Sequence, residues 1–337
     1  MPSQAFEKED FDAAKHLAFT PPEKVTMMED LGFKDVGVSP VAVSEPFQLF
    51  SKEAVEQMRY EILDPELKAK HGFHSNIAAS QMRGYCPEKA PFTYDAWTHP
   101  ETLAVISKIA GIDLIPVMNY EIANINFSAR TEAETRIAGC PWEDDKPIVG
   151  WHNDSYPFVC VLMLSDCTNM VGGETALRTA NGDILKVRGP SIGCAVVLQG
   201  RYINHQALRA LGGQERITAV TSFRPKSITV RDDTILKTVR PISDLNELYF
   251  EFAEYRLQMV QDRIDAQLRT MRARRRAGKK IDTLGVKKFL EEQEQFLSHT
   301  NGQIVEEDKV QVGHFDLDEA GDCADNGTPI QKRARVV

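Results

Sequence analysis

Three residues near the middle of the chain, His152, Asp154 and His205, have the types and the spacing needed to hold a divalent metal. His152 and Asp154 are separated by one residue in the segment GWHND. On a strand, residues i and i+2 leave the backbone on the same face, so this spacing brings an imidazole and a carboxylate to one point. His205, in YINHQ, lies 51 residues after Asp154, at the far end of a β-rich region. Two imidazoles and one carboxylate gathered on one face of a metal leave the three opposite positions open to other ligands. The structural alternative is a core histidine bonded to Asp154.

A second group follows. Arg216 comes eleven residues after His205, in QERITAVTSFRP. Arg216, Thr218, Val220 and Ser222 share one face of the strand expected there, and a buried arginine on such a face can hold a dicarboxylate bidentately, with the Thr218 hydroxyl as a further donor. A surface ion pair with Glu215 is the bland alternative. Asn124 and Asn126, expected on one strand face with Tyr120 and Ile122, offer amides to a carboxylate or a substrate, or bond the neighbouring backbone. Arg83, before Gly84 in QMRGYCP, either clamps a substrate carboxylate or is a solvated arginine. Trp151 and Tyr156 flank the metal motif and suit either a site wall or a core. His314 and Phe315 follow the last helices, where a returning segment would bring them to the substrate. His71 and His74, in HGFH, lack a carboxylate or third partner and are not read as a metal site.

These residues need a frame. From Leu114 to about residue 225 the chain runs through short apolar, β-branched segments divided by turn residues, among them Gly172-Gly173 and Asn181-Gly182. About eight strands without a helical period between them point to an antiparallel barrel or jelly roll. YPFVCVLML is apolar on both faces, which suits a central strand covered on each side. Before this region, residues 50–70 carry Ala54, Val55, Met58 and Ile62 at helical spacing behind a possible N-cap, Ser51, and residues 100–111 run from proline to glycine as a second helix. After it, Leu245, Leu248, Phe252 and Tyr255 through Leu268 predict a long helix, and residues 286–297 another. The expected division is an arm over residues 1–45, a core with its preceding helices over 46–240, C-terminal helices over 241–300 and an acidic tail over 301–337 that could close the site. The helices either brace the core of a monomer or join a homodimer. The basic run Arg269–Lys280 reads best as a solvated helix end or a face for the acidic residues 316–322.

At these positions the sequence resembles the Fe(II)/2-oxoglutarate-dependent oxygenase superfamily: H-x-D at His152 and Asp154, a distal His205, then R-x-T at Arg216 and Thr218. The Gly172–Thr175 turn is similar to the GGET of that fold. The stretch from Arg83 through PFTYDAWTHPETLAVISKIAG, with YEIANINFS, is similar to fungal members that tailor secondary metabolites. The resemblance runs from about residue 45 to 230. It implies a double-stranded β-helix with helices around it, Fe(II) on His152, Asp154 and His205, and O2 as oxidant. It also implies 2-oxoglutarate with its far carboxylate on Arg216 and Thr218 and its C1 carboxylate within reach of Asn126 or Asn124. The implied activity is oxidation of an unactivated C–H bond of a small molecule, with release of succinate and CO2: hydroxylation, desaturation or oxidative cyclisation, including aziridine formation from an amino acid. Halogenation is disfavoured, because halogenases of this superfamily replace the carboxylate that Asp154 supplies. A demethylase of the same superfamily and a non-catalytic β-helix binding protein are the competing readings.

Composition narrows the partners. Forty Lys and Arg against 49 Asp and Glu leave a net charge of −9, which argues against a general nucleic-acid binder. No apolar run reaches the roughly 18–20 residues of a membrane span, and the polar N-terminus resembles neither a secretory nor a transit peptide. The six cysteines form no CxxC pair and read as reduced thiols of a cytoplasmic protein, with Cys160 and Cys194 as small buried hydrophobes.

Overall fold

The computed structural model describes residues 7–75, 80–86, 88–129, 147–167, 171–187, 191–208, 210–211 and 215–314. The core is mainly antiparallel β-structure with helices around it. In the larger sheet the order is Cys194–Leu198, Phe158–Met163, Glu215–Pro225, Asn124–Ala129, with short strands added at both edges. In the smaller sheet it is Ile184–Val187, Thr175–Arg178, His205–Leu208, Pro147–His152. Val159, Val196 and Leu198 of the larger sheet meet Leu177 and Val187 of the smaller in one apolar cluster, so the two sheets pack face to face.

Phe158–Met163 is central, as its unbroken apolarity predicts. Cys160 and Leu162 point into the cluster under the helices, while Val159 and Val161 point toward the smaller sheet. Covering on both faces is what removes the usual polar alternation from such a strand. The final strand divides in the same way. Ile217, Ala219 and Phe223 enter the helix-covered cluster, while Arg216, Thr218, Val220 and Ser222 line a cavity between the sheets.

The helix expected over 50–70 is two helices. Lys52–Ile62 is capped by Ser51, whose hydroxyl accepts from the Ala54 amide at 3.2 Å, and it buries Ala54, Val55, Met58 and Ile62. Pro65 disfavours helical backbone at Asp64, which instead caps a new helix, Pro65–His71. Pro100–Ala110 ends at Gly111, in the left-handed region at φ 68°. The N-terminal residues contribute more than an arm: Val25–Met27 pairs with Val41–Ser44, which extends the larger sheet through Val43 and Leu198.

The C-terminal helices are longer than their apolar spacing predicts, at Leu245–Arg276 and Thr283–Gln303. Leu248, Phe252, Tyr255 and Met259 pack on Val117, Tyr120, Tyr156 and Leu236. Between the two helices the buried Arg256 stacks 3.6 Å from the centre of the Phe296 ring. It also donates to the Thr300 hydroxyl and the Asp232 carbonyl. This hairpin braces the core. Cys86, Cys160, Cys167 and Cys194 are free thiols; Cys160 is buried and Cys194 is half-buried, while Cys140 and Cys323 lie outside the described residues. No helix is long and apolar enough to cross a membrane among the described residues.

Candidate metal centre

His152 and His205 face each other across adjacent strands, directly opposed in the register, with ring centroids 4.4 Å apart. Each ring is fixed by its Nδ1. That of His152 meets the Gly150 carbonyl at 2.7 Å, and that of His205 meets the Ile203 carbonyl at 2.9 Å. A proton held on Nδ1 leaves the Nε2 lone pair free, the orientation metal-binding histidines require. Both Nε2 atoms lie 3.6 Å from Asp154, one from each carboxylate oxygen.

Asp154 is two residues past the strand that ends at His152, not on it. Its amide donates to the Gly200 carbonyl at 3.0 Å, and that bond turns the carboxylate toward the histidines. The Asp154 Oδ2 is buried without a hydrogen-bond partner. Burial acts to raise the Asp154 pKa, but the imidazoles of His205 and His152 outweigh it and hold the carboxyl below its ordinary range. Burial pushes His205 down, toward the neutral form that a metal ligand must have. At His152 burial acts the same way, but the Asp154 carboxylate outweighs it and raises the pKa, so that a metal binding there displaces a proton. All ligand atoms lie within 4.8 Å of one another, and among the described residues no other group of three histidine, cysteine or acidic side chains is gathered in this way. The donor set, the free Nε2 atoms and the orphaned carboxylate oxygen fit a divalent metal with an open face.

The triad forms part of the wall of a cavity of about 540 Å³. Arg216, on the final strand, lines the same cavity, and its Nε is sealed from solvent and has no hydrogen-bond partner. Burial lowers its pKa from the ordinary guanidinium value. The surface pairing with Glu215 is not formed, because Glu215 is held by Arg59 at 2.6 Å. Thr218 lines the same wall. Asn126, paired with Thr218 in the strand register, is engaged by Gln81 Nε2 at 2.8 Å.

No family model matches the chain, and no curated protein matches it. Solved structures do. A prolyl-4-hydroxylase from Pseudomonas putida is 16% identical with a TM-score of 0.36, over 52% of this chain and 88% of the other. A 2OG-Fe(II) oxygenase family oxidoreductase from Burkholderia pseudomallei is 15% identical with a TM-score of 0.37, over 61% and 93%. A full-length Neurospora crassa protein in complex with alpha-KG is 12% identical with a TM-score of 0.33, over 52% and 69%.

The remaining candidates fall into three groups. Tyr156 and Arg83 both reach the cavity wall. Arg83 is not solvated: it is 6% exposed and forms an ion pair with Glu121, which is 1% exposed. Glu121 also accepts from Asn124 Nδ2 at 2.8 Å and from the Ser222 hydroxyl at 3.4 Å. Gly84 permits this placement, since a β-carbon there would overlap the Tyr120 ring. Tyr120 itself lies in a 3₁₀ turn, Asn119–Glu121, ahead of the strand expected to carry it. His314 reaches the cavity wall along with Val305 and Val310, as expected of a returning C-terminal segment. Phe315 and the acidic residues 316–322 lie outside the described residues.

Sequence reasoning missed Glu121 and Gly200. An acid in YEIANINFS looks like the polar face of a strand, and a glycine in LQGRYINH looks like an ordinary turn residue. Only the proximity of Arg83 and of Asp154 gives them a role.

Proposed function

We propose that the protein is a non-haem Fe(II)/2-oxoglutarate-dependent dioxygenase of a small molecule. The observation that carries this reading is the pair of backbone-fixed imidazoles converging with the orphaned Asp154 carboxylate in a cavity that also holds the unpaired Nε of Arg216. His152, Asp154 and His205 hold the iron, and Arg216 and Thr218 take the far carboxylate of 2-oxoglutarate. When bound, iron, 2-oxoglutarate and O2 supply an oxidant strong enough to attack an unactivated C–H bond, with succinate and CO2 as co-products. The chain's own part is to fix the ligands, pair the cosubstrate charge and choose which hydrogen is presented. The alternation of strands between the two sheets supports a double-stranded β-helix. The charges support the same ligand set. Fe(II) with one aspartate is +1, a 2-oxoglutarate dianion makes it −1, and Arg216 restores neutrality in a site where unpaired charge is costly.

The cavity supports a substrate of small-molecule size. Arg83 and Glu121 together are neutral, so a ligand that carries both charges, such as a free amino acid, can meet each without leaving a net buried charge. Hydroxylation, desaturation and oxidative cyclisation, including aziridine formation, are outcomes compatible with such a substrate. We place the enzyme in fungal secondary or amino-acid metabolism, in the cytoplasm. The test is a panel of amino acids and other small metabolites, scored by succinate formed from 2-oxoglutarate. His152→Ala must abolish that turnover. Undiminished succinate formation in the variant would remove the catalytic metal assignment and leave the binding-protein reading. Turnover stimulated only by a methylated macromolecule would favour the demethylase.

A further inference from the structure

The outer side of the helix Leu245–Arg276 carries an apolar stripe that nothing among the described residues covers. Phe250, Leu257 and Ile264 repeat every seven residues and are 70%, 58% and 41% exposed, and Leu268 continues the stripe at 38%. Ala253 and Val260, three residues after Phe250 and Leu257, are half-buried beside it. These two spacings are the a and d positions of a heptad, distinct from the inner face that Leu248, Phe252, Tyr255 and Met259 bury on the core. A lone exposed leucine needs no explanation, but a repeating stripe along a 32-residue helix does.

Charge identifies the occupant. The first part of the helix carries Glu247 and Glu254 exposed and no basic residue before Arg256, while Asp244 caps the helix and Glu251 accepts the Tyr120 amide on the core side. The last part and the following turn carry Arg269, Arg272, Arg274, Arg275, Arg276, Lys279 and Lys280 and no acid before Asp282. Acids at the start and bases at the end suit the helix's own dipole, but that preference fades within one turn, and here the segregation extends well beyond it at both ends. A parallel copy would set base against base along the tip. An antiparallel copy sets each acidic end against a basic end.

We propose that this face binds a second copy of the chain, antiparallel, about a two-fold axis near Gln261. Symmetry about that residue places Glu247 opposite Arg275 and Phe250 opposite Arg272, whose aliphatic stem covers the ring, and sets Leu257 beside Ile264 of the other copy. The interface is self-complementary, and the catalytic cavity lies on the other side of the helix.

The full chain, measured by light scattering after gel filtration at tens of micromolar, is expected to have twice its monomer mass. Leu257→Glu with Ile264→Glu is expected to halve that mass while leaving the far-ultraviolet circular dichroism unchanged, since both side chains are exposed. Orientation is read by oxidation over the parent chain's background. Gln261→Cys crosslinks to itself, Phe250→Cys does not, and Phe250→Cys mixed with Arg272→Cys gives a heterodimer. A monomeric parent chain, including one in which residues 315–337 cover the stripe, overturns the proposal. So does a dimer that survives the double glutamate variant, and self-crosslinking at residue 250 overturns the antiparallel arrangement.

Discussion

Gly200 and Asp154 are held so closely that the glycine has no room for a side chain. Its carbonyl accepts the Asp154 amide at 3.0 Å, and a β-carbon on it would overlap the Asp154 Oδ2. The aspartate can aim at the two histidines only while residue 200 is glycine. Gly200→Ala is therefore expected to weaken metal affinity by about 10–100-fold, the range seen when a ligand's supporting contact is lost. Titration with Co(II) checks this. Unchanged affinity would mean that Asp154 does not need this orientation.

Metal binding should stabilise the fold, because the triad exists only in the native state. At a metal concentration of about 100 times its Kd, the gain is about 2.7 kcal/mol. For a chain of 337 residues the melting temperature then rises by about 4 °C, at about 1.4 °C per kcal/mol. Differential scanning calorimetry of chelator-treated protein, with and without Co(II), should show this shift. Asp154→Ala should remove it.

Arg216→Lys keeps a positive charge but loses the planar fork that grips a carboxylate in two places. The KM for 2-oxoglutarate is expected to rise by about tenfold or more, equivalent to about 1.4 kcal/mol, with a smaller change in kcat at saturation. Steady-state succinate formation separates the two. A fall in kcat at constant KM would place the cosubstrate elsewhere.

The buried Arg83–Glu121 pair makes opposite predictions for one and two substitutions. Arg83→Met leaves the Glu121 carboxylate uncompensated, and burial already pushes that carboxyl above its ordinary range. The expected loss is about 3–5 kcal/mol. Adding Glu121→Leu removes the stranded charge and should restore most of the stability. Urea denaturation of the two variants gives the comparison. If the pair also binds substrate, stability returns in the double variant and substrate turnover does not.

Local pattern is enough to single out the candidate metal ligands, which the fold gathers within 4.8 Å of one another, and the strand-rich core. His152, Asp154, His205 and Arg216 are legible by residue type and spacing. The strand period that suggests a shared face for His152 and Asp154 does not apply, since the strand ends at His152 and the Gly200 carbonyl holds the Asp154 amide. The central strand Phe158–Met163 is legible because burial on both sides leaves a plain apolar run. The length of the first helix is not, since Pro65 can either start a helix or end one, and its neighbours do not say which. Long-range packing supplies what is left. It makes Arg83 half of a buried pair rather than a solvated arginine, gives Glu121 and Gly200 their roles, and brings the segment around His314 to the cavity. Those contacts join residues far apart in the chain, and neither the spacing nor the hydropathy of a single segment encodes its distant neighbour.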